Sequence, residues 1–298
     1  MQKMREYIAI FAIVLLLPYV ATMLYQGKSG IRKTAVPYIS GNQAEKETLD
    51  TEEEHLIGML AAAIPINYPM ETLKAQAVIL RTQLAEEAES GKAYSAEEMK
   101  ELWGAEAFAD YYARLKTAVE ETRGQILTYD GEIAYAPYHA VSAGKTRSSD
   151  SLFIDGKYPY LKSVDCRTDV EAEGYLTIEY RTIDEFAERV NASFPACQLS
   201  EESLFMDLQI KKTDEAGYVE TIAVGSQELS GEEFRRTMGF PSACFIIEAY
   251  EENVRIVTKG LGHGLGFDQY YAKRLAEDGK QMTELLNYFF EGTVITQK

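Results

Sequence analysis

Leu56, Met59, Leu60 and Ala63 recur at the i, i+3, i+4, i+7 spacing of one helix face. The spacing predicts a helix that opens at an Asp50 or Thr51 cap, holds Glu52-Glu53-Glu54 in the first turn where the helix dipole favours anions, and stops at Pro65. A second helix opens at Pro69 and carries Met70, Leu73, Ala77, Leu80 and Leu84 as its apolar stripe. Lys74 and Arg81 border that stripe, as expected of snorkelling or salt-bridged side chains at the surface. A third helical stretch runs from a Ser95-Ala96-Glu97-Glu98 capping box to Arg123 and holds the only tryptophan, Trp103.

After Gly124 the period changes to two. Residues 125–129, the turn Asp130-Gly131 and residues 133–135 predict a hairpin that leads into 138–141. Residues 176–180, 206–212 and 218–224 read as strands, 183–190 as a helix, Leu229-Ser230-Gly231 as a capped helix start, and 244–247 with 254–257 as strands. Helices and strands are segregated rather than alternating, which predicts an α+β domain and not a doubly wound sheet.

Ahead of this domain, residues 7–27 contain no charge and match the thickness of a bilayer. They are expected to be one transmembrane helix, after a short cytoplasmic leader (1–6) and before a polar linker (28–50) and the folded domain (51–298). A cleaved signal peptide is the alternative, although the stretch is long for one and no small-x-small site stands out near Ala21-Thr22-Met23. Lys3 and Arg5 precede the span while Lys28, Arg32 and Lys33 follow it, so charge bias leaves the orientation open; the short leader favours an extracytoplasmic domain.

The 298 residues carry a formal charge of −17, which argues against nucleic acid as a partner. Cys166, Cys197 and Cys244 form no C-x-x-C pair, and His55, His139 and His263 do not fall at ligand spacing, so neither a structural metal nor a cofactor is expected. The least average passage is Gly260-Leu261-Gly262-His263-Gly264-Leu265-Gly266-Phe267-Asp268-Gln269. Alternate glycines suit sharp bends or close backbone approach, and a helix continuing from 267 would present His263 and open N–H groups at its N-terminus. A tight structural connection is the plainer reading. Ser142-Ala143-Gly144-Lys145-Thr146-Arg147 lacks the spacing of a phosphate loop.

Four ordered blocks resemble the stage II sporulation protein D family, the SpoIID/LytB domain. They are Pro65 with Leu73-Lys74-Ala75-Gln76-Ala77-Val78 and Arg81-Thr82; Thr122-Arg123-Gly124-Gln125 through His139 and Ser142-Ala143-Gly144-Lys145-Thr146; Leu229-Ser230-Gly231 with Phe234-Arg235; and Gly262-His263-Gly264-Leu265-Gly266 with Gln269 and Ala272. The resemblance implies a membrane-anchored protein acting on peptidoglycan during engulfment. It implies a lytic transglycosylase in which one glutamic acid serves as acid and then base. It also implies a glycan-binding cleft built from Arg81, Ser142, Lys145, His263, Gln269 and Tyr270.

The register counted from Pro65 puts Ala63 where the family has its catalytic glutamate. Asp268, which stands where the family has Ser, is a candidate replacement acid because of its place beside the glycine loop, although a solvated carboxylate there would be largely ionised at neutral pH. The alternatives are a non-catalytic glycan binder that enhances other sporulation cell-wall hydrolases, and a scaffold in an engulfment complex.

Overall fold

The computed structural model describes residues 41–86, 91–153 and 156–298, with backbone alone for 41–50. The chain divides at Thr48 into two units, of which Leu49–Lys298 holds the mixed α+β domain. The segment 7–27 lies outside the described residues; among those described, no helix is long and apolar enough to cross a membrane.

Helix α1 spans Gly41–Ala63, α2 Met70–Ala85 and α3 Ala96–Glu121. Because α1 begins at Gly41, Asp50 and Thr51 do not cap it and the three glutamates lie within it, not in its first turn. Leu56, Met59, Leu60, Leu73, Ala77, Leu80, Leu115 and Val119 interlock as one core, each fully buried side chain worth roughly 1.5–3 kcal/mol. The Ser95 capping box is formed in both directions, and α3 is interrupted at Gly104, whose φ of 78° suits glycine.

Strands β1 (Gln125–Tyr129) and β2 (Glu132–Ile133) form the expected hairpin, with both turn residues, Asp130 and Gly131, at positive φ. The other edge of β1 pairs with β11 (Val294–Gln297), near the C-terminus. Strand β3 (Tyr138–His139) pairs in parallel with β10 (Phe267–Asp268), setting His139 opposite Asp268. Two further antiparallel sheets follow. One has the order β4 (Leu176–Thr182), β9 (Asn253–Lys259), β8 (Phe245–Tyr250), and the other β5 (Leu208–Thr213), β6 (Val219–Val224), β7 (Gln227–Ser230).

Their shared core is aromatic, with Phe186 from α4 (Ile183–Ser193) and Phe234 from α6 (Gly231–Met238) packed with Phe240 and Phe245. Ser230 caps α6 through Glu233 N, as its motif suggested. Residues 206–207 are a correction: they close the short helix α5 (Leu204–Asp207), and the strand starts only at Leu208. Helices α7 (Gln269–Glu277) and α8 (Met282–Phe289) return against α2.

Candidate functional site

The glycine loop is laced onto residues 137–147. Val141 and Leu261 exchange backbone hydrogen bonds, Arg147 N donates to Gly264 O at 2.7 Å, and Phe267 N donates to Pro137 O at 2.9 Å. Close approach is why glycine is needed. A Cβ at Gly262 would fall 2.7 Å from His139 Cβ, and one at Gly264 would fall 2.4 Å from Tyr218 Cζ.

Beneath the loop lies a closed polar centre. The Ser142 backbone N–H is shared between Asp169 Oδ2 and Asp268 Oδ2, each at 2.8 Å, while Ser142 Oγ donates to Asp169 Oδ2 at 2.6 Å. Ser142, Asp169 and Asp268 are all completely buried. Burial, followed by the facing Asp268 carboxyl, pushes Asp169 well above the carboxylate range, and burial raises Asp268 as well. Two carboxyls this close do not both ionise in a dry site. The expectation of a solvated Asp268 is therefore corrected: its Oδ1 accepts from Tyr271 N at 3.0 Å, making it the N-cap of α7, and solvent does not reach it.

His139 faces the same centre. Its Nδ1 lies 3.1 Å from Leu265 O, which can only accept, so Nδ1 carries the proton and Nε2 turns its lone pair toward Asp268 Oδ2 at 3.3 Å. Burial holds His139 down to about 4, so the ring is neutral. Cys166 closes the group: one atom each from Cys166, Asp169 and Asp268 lie within 4.8 Å of one another.

His263 sits above, its ring centroid 5.7 Å from that of His139. Its Nδ1 accepts from Leu265 N at 3.1 Å, and burial, then the neighbouring His139, lowers it to about 3. It lines a cavity of about 220 Å³ with Tyr135, Arg147, Phe153, Glu232 and Arg236. Two N–H groups at the start of the helix that follows are already taken, Tyr270 N by Ala140 O and Tyr271 N by Asp268.

The remaining positions separate into distinct neighbourhoods. Arg81 is buried, against its reading as a border residue; it donates to Val119 O, Thr122 O and Glu53, and so ties α2 to α1 and the end of α3. Lys145 is exposed, 3.9 Å from Asp165. Gln269 is buried and donates from Nε2 to Ala63 O at 2.8 Å and to Gln76 Oε1 at 3.1 Å. Tyr270 is half-buried, with Lys273 Nζ 5.2 Å from its ring centroid and 5.6 Å from that of Tyr68.

Sequence reasoning missed Arg147, fully buried and bound through Nε to Asp214 at 2.6 Å under the Tyr218 ring. Its signal was the second cation of the Ser142–Ser149 stretch, whose partners lie some seventy positions away in sequence. Asp169 was missed, and Cys166 was set aside for want of a C-x-x-C partner.

The domain is α+β, with a glycine loop locked over a buried Ser-Asp-His centre that joins the second and fourth motif blocks. Residues 40–129 match the family model described as SpoIID, Stage II sporulation protein. The chain is 28% identical to stage II sporulation protein D of Bacillus amyloliquefaciens over 263 residues, covering 82% of this chain and 74% of that protein. To the protein of the same name from Bacillus subtilis (strain 168) it is 26% identical with the same coverage. It is 23% identical to the amidase enhancer of Bacillus subtilis over 293 residues, which span 81% of this chain and 40% of the enhancer.

Proposed function

We propose that this chain binds peptidoglycan glycan strands without cutting them and assists other wall hydrolases during sporulation, held at the membrane by residues 7–27 with its folded domain outside the cytoplasm. The sporulation family and the likeness to a protein named amidase enhancer support the setting. One observation carries the choice of a binder over an enzyme. Ala63 presents a methyl group where the resemblance puts the acid, and the candidate substitute, Asp268, is sealed under the glycine loop by Ser142, Tyr271 and His139. A general acid must reach the glycosidic oxygen, and a carboxyl with no solvent access does not.

The half-buried surface next to Ala63 suits a sugar. Tyr68, Tyr270 and Lys273 combine ring faces with an ammonium group that can hydrogen-bond hydroxyl or carboxylate oxygens. Burial first, then the Asp268 charge, pushes Tyr68 up to about 12, so its hydroxyl remains a donor at neutral pH.

The test incubates the chain with peptide-free glycan strands and measures both retention on the strands and release of 1,6-anhydro ends. Retention without cleavage is expected, together with loss of retention in Tyr270→Ala. Cleavage by the native chain that disappears in Asp268→Asn would overturn the proposal in favour of a relocated acid. Absence of retention would leave only the scaffold reading.

A further inference from the structure

Cys166 is the N-cap of a short 3-10 helix (Arg167–Glu171) and Asp169 lies within it, where side chains three apart stand on the same side. The C-x-x-C pair sought in the sequence is absent, but C-x-x-D takes its place, and the fold brings Asp268 and His139 to it from β10 and β3. Three donor atoms thus meet, a sulfur and two carboxylate oxygens all within 4.8 Å of one another, and an imidazole Nε2 lies beside them, 3.3 Å from Asp268 Oδ2. Two of them point inward unused. His139 Nε2 and Asp169 Oδ1 are fully buried and receive no hydrogen bond from a neighbouring N–H or hydroxyl, a costly arrangement unless a carboxyl proton or an ion serves them.

We propose that Cys166, Asp169 and Asp268 bind a structural zinc ion, with His139 closing in from beside Asp268 as the fourth ligand. One thiolate, one imidazole and two carboxylates make a four-coordinate set of the borderline-soft character that zinc prefers over magnesium or calcium. The outer partners match as well. A metal-binding histidine donates its other N–H to a carbonyl or carboxylate, as His139 Nδ1 does to Leu265 O, and ligating carboxylates accept hydrogen bonds, as Asp169 and Asp268 do from Ser142 and Tyr271. With every ligand buried, no position is left open for water or substrate, so the ion ties the turn at Cys166, strand β3 and the start of α7 together and takes no part in bond cleavage. This site does not depend on the glycan-binding proposal.

The test treats the purified full-length chain with a chelator, then titrates it with Zn2+ and Co2+. One equivalent of zinc, a rise in melting temperature, and a thiolate-to-cobalt charge-transfer band are expected. The band persists in Cys197→Ser and Cys244→Ser and disappears in Cys166→Ser. Asp169→Asn, nearly isosteric, weakens cobalt binding by more than the ~10–100-fold typical of losing an outer partner. A native chain that takes up no ion and melts at the same temperature with or without Zn2+ overturns the proposal, as does a band that survives in folded Cys166→Ser. Should both variants fail to fold, the native chain decides: zinc must shield the Cys166 thiol from alkylation, read peptide by peptide, and equal labelling with and without zinc overturns the site.

Discussion

Gln269 reaches across 206 positions of sequence to donate from Nε2 to the carbonyl of Ala63 at 2.8 Å. That single bond joins the end of α1 to the start of α7, and it fixes where a side chain at position 63 would stand.

Ala63→Glu is therefore expected to fold, since Ala63 is half-buried and its backbone remains held. A glutamate at a helix C-terminus faces the negative end of the dipole, which favours its protonated form, as a general acid requires. If the rest of the cleft is intact, the variant gains release of 1,6-anhydro ends by roughly 10²–10⁴-fold over the native chain. Chromatography of digests of peptide-free strands checks this.

Gln269→Leu removes the donor shared by Ala63 O and Gln76 Oε1. The buried Gln76 Oε1 and the carbonyl of half-buried Ala63 lose their partner, and urea unfolding should show a loss of about 1–3 kcal/mol for the buried acceptor left unsatisfied. Gln269→Glu is expected to be worse, because it sets a carboxylate against the same carbonyl.

Arg81→Met leaves Glu53 without its buried partner and removes one donor from three backbone carbonyls. The expected cost is about 3–5 kcal/mol of stability. Glycan retention per folded molecule is expected to stay unchanged, which separates a strut from a ligand-binding cation. A fall in retention at full stability would place Arg81 in the cleft instead.

His263, at about 3 in the folded chain, is neutral through the whole range in which an unfolded histidine takes up a proton near 6.5. The unfolded state binds the extra proton, so stability rises with pH from about 3 to 6.5 and is lost as pH falls, with a slope of at most ~1.4 kcal/mol per pH unit for this residue. His139, at about 4, contributes in the same direction. Unfolding midpoints measured from pH 4 to 7 should climb, and less steeply in His263→Gln.

Much of the frame was legible. The period of 3.6 along Leu56–Ala63 and Met70–Ala85 and the Asp130-Gly131 turn are local signals, and they gave helices and a hairpin where the structure has them. The glycines were legible as points of close approach, but not what they approach. The charge state of Asp268 was not legible, because its burial is made by residues 126 positions away, such as Ser142. Arg81 misled for the same reason: a cation at the edge of an apolar stripe looks exposed until the end of α3 is packed over it. The helix N-terminus at Gln269 looked like an open anion site because sequence spacing does not show that Ala140 O has already taken one of its N–H groups.

The pairing of β1 with β11 also governs how the domain is made. Thr128 waits for Val294, 166 positions later, and until then the outer edge of β1 is unpaired while Leu127 and the buried face of α8 lack each other. A chain emerging residue by residue from a ribosome thus keeps an open edge on β1 until β11 is made. During that interval it is exposed to wrong pairing with a second nascent chain, and clipping Val294–Gln297 would recreate that immature state in an otherwise finished molecule.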